Sequence, residues 1–163
     1  IKNPVSETSL EDMRLQFNFI NDINEKVTEI HNGLLNIKKI KAQISTLKKA
    51  IKDKKKHAKL LDFADQLVQK ATTIETTLYQ TKSKSGQDPL NFPIRLNNKL
   101  AHLNSLTRIG SYRPTSQAIA FKKAITKDID TEMTKLYTIF DKDVKLLNKK
   151  VKESQIDLIQ LDN

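Results

Sequence analysis

The chain contains no cysteine. Disulfides and cysteine-based metal or redox chemistry are therefore excluded, although the compartment stays open. Glycine and proline are also scarce, at three and four residues. Few breakers mean long uninterrupted elements. No apolar run approaches the roughly 18 residues of a membrane span, and no signal-peptide pattern opens the chain. Aromatic residues make up only 6 %, and arginine is far outnumbered by lysine. Proteins that read bases or clamp phosphates favour arginine forks and stacking rings, so that class finds little support here. The chain begins at Ile1 rather than Met, which suggests a piece excised from a larger protein.

What is present is charge and helical period. The 163 residues suit a single domain spanning 1–163. Charged residues at 29 % against 37 % hydrophobic fit helices that each bury one stripe. The net charge of +10 reads first as solvated lysine on helix exteriors and second as attraction to an anionic partner.

The first helix is expected over 6–52, capped by Ser6 or Ser9. Its stripe is Leu10, Met13, Phe17, Ile20, Ile23, Val27, Ile30, Leu34, Ile37, Ile40, Ile44, Leu47 and Ile51. Steps of three and four alternate, close to a coiled-coil seam. Gly33 interrupts it at a cost of about 1 kcal/mol that packing must override, with a bend near 32–36 as one outcome. The lysine-rich run 52–57 lacks an apolar anchor and marks a reversal; the alternative is a helix continuous through Lys56. The second helix is expected over 58–82, with stripe Leu60, Ala64, Leu67, Ala71, Ile74 and Leu78. The third is expected over 93–108, opening on Pro93, with Leu96, Leu100, Leu103 and Leu106 inward. The fourth is expected over 115–153, capped by Thr115 or Ser116. Its stripe is Ala118, Phe121, Ile125, Ile129, Met133, Leu136, Phe140, Val144, Leu147 and Val151. The tail beyond Glu153, with Ile156, Ile159 and Leu161, continues the helix or frays. Together these predict an all-α, elongated up-down-up-down four-helix bundle with one short helix and an ordered proline-containing loop. With the third helix short, the first is expected to project past the bundle or to be covered along only part of its length.

A search for chemistry returns little. No Glu is followed three residues later by His, the pattern of di-metal bundles. His31, His57 and His102 fall on different segments. Asp128 and Glu132 sit one turn apart but flank the apolar stripe, as solvating carboxylates do. There is no Gly-x-Ser-x-Gly elbow and no glycine-rich phosphate loop. No catalytic, cofactor-binding or metal residue is assigned, and the isolated chain is not expected to hydrolyse glycosides.

The distinctive stretch is 79–103, with two prolines and one glycine. Gly86 is a candidate for positive φ. Leu90 and Phe92 are expected to fold back, buried, onto the bundle. Asn97 or Asn98 should bond the loop backbone, with Gln80, Gln87 and Asp88 satisfying other loop groups. The motif Tyr79-Gln80-Thr81-Lys82, then Ser85-Gly86-Gln87-Asp88-Pro89-Leu90-Asn91-Phe92-Pro93 and Leu96-Asn97-Asn98-Lys99-Leu100-Ala101, resembles the C-terminal helical region of large bacterial sortilin-like, BNR-repeat β-propeller proteins often labelled glycosyl hydrolase. A weaker likeness lies at Pro114-Thr115 and Gln117-Ala118. The resemblance implies a non-catalytic accessory module, for interaction or spacing, in an exported parent whose N-terminal propeller is its partner. It transfers no catalytic residue, and the lysine richness departs from it. The alternative is a basic helical protein binding nucleic acid or another anionic polymer.

Overall fold

A computed structural model describes residues 8–156. Among the described residues there is no β-strand. Helix α1 spans Leu10–Ala50, α2 Ala58–Leu78, α3 Leu96–Thr107, α4 Ser116–Thr138 and α5 Val144–Glu153. A 3₁₀ turn occupies Asp88–Leu90, and a π turn, Ile139–Asp143, joins α4 to α5 as one run. The all-α bundle with one short helix is thus present. The candidate cap Ser6, and Ile159 and Leu161 of the tail, lie outside the described residues.

The helix ends arise from local chemistry. The Ser9 hydroxyl accepts the Asp12 N–H at 3.0 Å and donates to the Asp12 carboxylate at 2.7 Å, so Ser9 caps α1. Ala50 ends it, and the Asp53 carboxylate accepts the Lys56 N–H at 3.0 Å. That turn makes the reversal within 52–57. Thr115 caps α4 by accepting the Ala118 N–H at 3.1 Å. Helix α2 stops at Leu78 rather than 82, because Gln80 leaves the helix to serve the loop. Helix α3 starts at Leu96 rather than Pro93, whose carbonyl Gln80 takes. Pro89, instead, opens the 3₁₀ turn.

Two compact units make up the described chain. The first holds 8–32 and Thr76–Glu132. Here α3 runs antiparallel to α1, as His31–Asn97, Asn24–Asn104 and Gln16–Thr107 contacts require. Helix α4 runs parallel to α1, tied by Lys122–Asp22 and Lys26–Asp130 ion pairs. Phe19, Ile23, Ile30, Leu100, Leu103, Ile125 and Ile129 are buried in this unit.

The second unit holds Gly33–Glu75 and 133–156. Here α2 runs antiparallel to α1, with Lys41–Glu75 and Lys48–Asp65 ion pairs. Every position of the α2 stripe is buried. Gly33 explains itself in this unit. A Cβ there would lie 2.9 Å from Leu136 Cδ2 and 3.1 Å from Met133 Cε, so the missing side chain lets a neighbouring helix approach. Helix α1 passes through this point unbroken.

Each of α2 and α3 is therefore antiparallel to the stretch of α1 in its own unit. Helix α1 has a helical partner in each unit. Its first stretch has α3 for a partner and its second has α2, so neither is left without a helical neighbour.

Five stripe assignments change, those of Leu106 and Phe121, both exposed, among them. Leu10 and Phe17 are exposed, while Gln16 and Phe19 are buried. Ile139 is buried where the period placed Phe140, which is only half-buried. The π turn is the reason. The Val144 N–H reaches back five residues to the Ile139 carbonyl, so the inward positions step 136, 139, 144, 147.

Candidate interaction groove

The loop over 79–95 is held by two side chains. Gln80 is buried; its amide donates to the Pro93 carbonyl at 2.7 Å and its oxygen accepts the Lys82 N–H at 3.2 Å. One side chain thus ties both ends of the loop. The Asp88 carboxylate accepts the N–H groups of Lys84 and Ser85 and the Ser85 hydroxyl. These bonds, the one from Lys84 foremost, hold its carboxyl below the usual carboxylate range. The Asn91 and Phe92 N–H groups both return to the Asp88 carbonyl, at 2.9 and 2.8 Å.

The residues expected to organise this loop divide between solvent, loop and helix. Tyr79 is exposed, and Pro89 and Leu90 lie in the 3₁₀ turn. Leu90 is 88 % exposed, which corrects its expected burial. The tight turn spends its carbonyls on its own amides and points Leu90 away from the helices. Phe92 is half-buried, with the Lys82 ammonium 6.0 Å from its ring centre. Asn98 accepts the Arg95 N–H at 3.5 Å, a long bond at the start of α3. Asn97 does not face the loop. It is buried and meets His31 Nε2 on α1 at 3.4 Å. Gly86 carries no positive φ; among the glycines that conformation belongs to Gly110, at +74°.

Sequence reasoning missed a polar seam between α1 and α3. Gln16 donates to the carbonyls of Thr107 and Gly110 at 2.7 and 3.0 Å. Asn104 donates to the Asn24 side chain at 2.7 Å, and Asn97 meets His31. The signal was available: Gln16, Ile23, Ile30, Ile37, Ile44 and Ile51 fall seven apart, so Gln16 occupies a core position in the heptad.

Gln16 anchors the segment after α3, and that segment frames an open groove of about 770 Å³. Its walls come from the ends of α3 and α4 and the loop between them. Leu106, Ile109, Tyr112 and Phe121 line it, exposed at 54, 70, 69 and 45 %. Lys99, His102 and Arg113 also line it. Arg113 stands 3.8 Å from the Asp12 carboxylate, a loose surface pair. Gly110 sets the path, since a Cβ there would lie 2.4 Å from the Tyr112 ring. The Thr8 hydroxyl donates to the Ser111 carbonyl, fixing the same segment against the start of α1.

Helix α4 is held in place by Lys26, whose ammonium lies 2.6 Å from Glu29 and 2.7 Å from Asp130. Partial burial opposes its charge, but those hydrogen bonds outweigh it and hold the lysine above its usual pKa. His102 lies in the groove, His31 on α1 and His57 before α2. Among the described residues no three His, Cys, Asp or Glu side chains cluster as a metal site. The arrangement offers apolar contact with a cationic border. No family model, no curated protein and no solved structure matches this chain.

Proposed function

We propose that this chain is a non-catalytic interaction module that docks a partner in the groove between α3 and α4. The carrying observation is the exposure of Leu106 and Phe121. Both belong to apolar stripes whose helical period marks them for a core, yet both line open space. A contiguous uncovered apolar surface is the usual sign of an interaction site, and a mere spacer has no need of one. The cationic border favours a partner whose apolar anchors are flanked by carboxylates. The resemblance of 79–103 to the helical region of exported propeller proteins supplies the partner: the N-terminal β-propeller of a bacterial, glycosyl-hydrolase-like parent.

The test begins with the reading frame upstream of Ile1. The adjoining domain is expressed separately and titrated with this chain by calorimetry. Binding that drops about tenfold or more in Ile109→Ser/Tyr112→Ser, with helix content unchanged, supports the proposal. A frame without a propeller removes the parentage. Binding indifferent to the groove substitutions removes the groove.

A further inference from the structure

A second surface, in the other unit, carries a separate function. The turn 53–57, the start of α2 and the end of α5 border an open hollow of about 530 Å³. Lys55, Lys56, Lys59 and Lys150 line it, with His57 and Glu153. A neighbouring hollow between α1 and α2 is also lysine-rich, but Lys41 and Lys48 there are taken by Glu75 and Asp65. The lysines that line this first hollow are different. Among the described residues no carboxylate lies within ion-pair distance of Lys55, Lys56, Lys59 or Lys150. The Glu153 carboxylate is 3.8 Å from Lys149, and the Asp53 carboxylate is engaged by the Lys56 N–H. Lys150 is held in place over the Phe63 ring, its ammonium 5.6 Å from the centre.

Four ammonium groups drawn around one hollow repel one another unless an anion enters. A concave wall with four lysines to one carboxylate also raises the local anion concentration. We propose that this hollow binds a linear phosphate polymer. Lysine is a compact point charge that meets phosphate oxygens without a fixed planar geometry. The hollow has no arginine and no Phe, Tyr or Trp in its lining, so it favours charge along a chain over bases. A flexible polyanion can lay successive phosphates against these exposed lysines.

The test uses inorganic polyphosphate of defined length and the whole chain. Lys55→Ala/Lys56→Ala/Lys59→Ala is compared with Lys38→Ala/Lys123→Ala/Lys127→Ala, which removes the same charge elsewhere. Wild type should bind polyphosphate, and raising salt from about 50 to about 200 mM should weaken it about tenfold or more. The first variant should lose about tenfold in affinity and the second less than about threefold, both with unchanged circular dichroism. Equal losses in the two variants would show an effect of net charge alone and overturn the site. Binding to phosphatidylglycerol vesicles without binding to polyphosphate would overturn the choice of ligand.

Discussion

Leu90 and Phe92 stand two residues apart in one loop and separate cleanly in energy. Leu90, 88 % exposed, should cost no more than about 0.5 kcal/mol on truncation to Ala, as surface sites do. Phe92, half-buried under Lys82, should cost roughly 1–3 kcal/mol, below the range for a fully buried phenylalanine. Urea titrations of the two variants check this, and equal midpoints would contradict it. Asp88 gives the loop a pH dependence. Its folded carboxyl lies below the ordinary aspartate value of 3.8. The stability it contributes is therefore present above that value and lost as pH falls through the lower, folded value. Amide exchange at Ser85 should accelerate in that acid window beyond its intrinsic trend, and Asp88→Asn should abolish the dependence. These roles were half legible. Asp and Gln beside a breaker cluster announced that loop amides would find side chains. That Gln80 would cross to Pro93, and Asn97 turn to His31, depended on partners 13 and 66 positions away.

At the scale of elements, α2 was readable throughout because it is regular α-helix from end to end, so one period decides its buried face. Helix α1 was readable wherever an apolar residue held the seven-residue interval. It was misread at Phe17 and Phe19 because an apolar-only rule passed over Gln16, the residue that keeps the interval. The fourth helical run was misread at Ile139 because period counting assumes one helix type. The π turn yields a sharp expectation. A π turn is one residue inserted into an α-helix. Deleting exposed Lys142 should turn the inward steps 136, 139, 144, 147 into regular threes and fours and leave Leu147 in the core. That variant should melt within a few degrees of wild type. Deleting Lys127, in regular α4, rotates the rest of the helix by about 100° and should cost several kcal/mol. Calorimetric melting of the pair decides; a Lys142 deletion as damaging as the Lys127 deletion would mean that the π turn is itself required.

For the whole molecule, the apolar pattern is longer than the core it fills. Leu103 and Ile109 lie on and just beyond the end of α3 and measure the difference. Leu103 is buried and Ile109 is 70 % exposed. Leu103→Ala should cost about 2–5 kcal/mol of stability, whereas Ile109→Ser should stay within about 0.5 kcal/mol. A large loss in Ile109→Ser, read by thermal unfolding of the isolated chain, would assign the groove to stability instead of binding. No helix of the described residues is long and apolar enough to cross a membrane. The bulk charge and the helical class were legible from composition. The meeting of Lys55 with Lys150 was not, because it is made by chain reversal across nearly a hundred positions.

The polar seam has a kinetic meaning. Helix α3 has twelve residues, too few to persist alone in water. It forms against α1, and Gln16, Asn24 and His31 act as three notches that accept it in one position. A slip of one turn would strand the amides of Asn97 and Asn104, whose side-chain oxygens already lack partners. Seating is therefore a single event, and so is release. Native-state hydrogen exchange should show the amides of α3 opening together, at one shared free energy below that of α2. Since α3 supplies one wall of the groove, each opening also erases the proposed binding surface. Asn104→Ala, which loosens a notch, should lower the shared α3 opening free energy while partner affinity holds until the open form becomes a sizeable fraction of the protein.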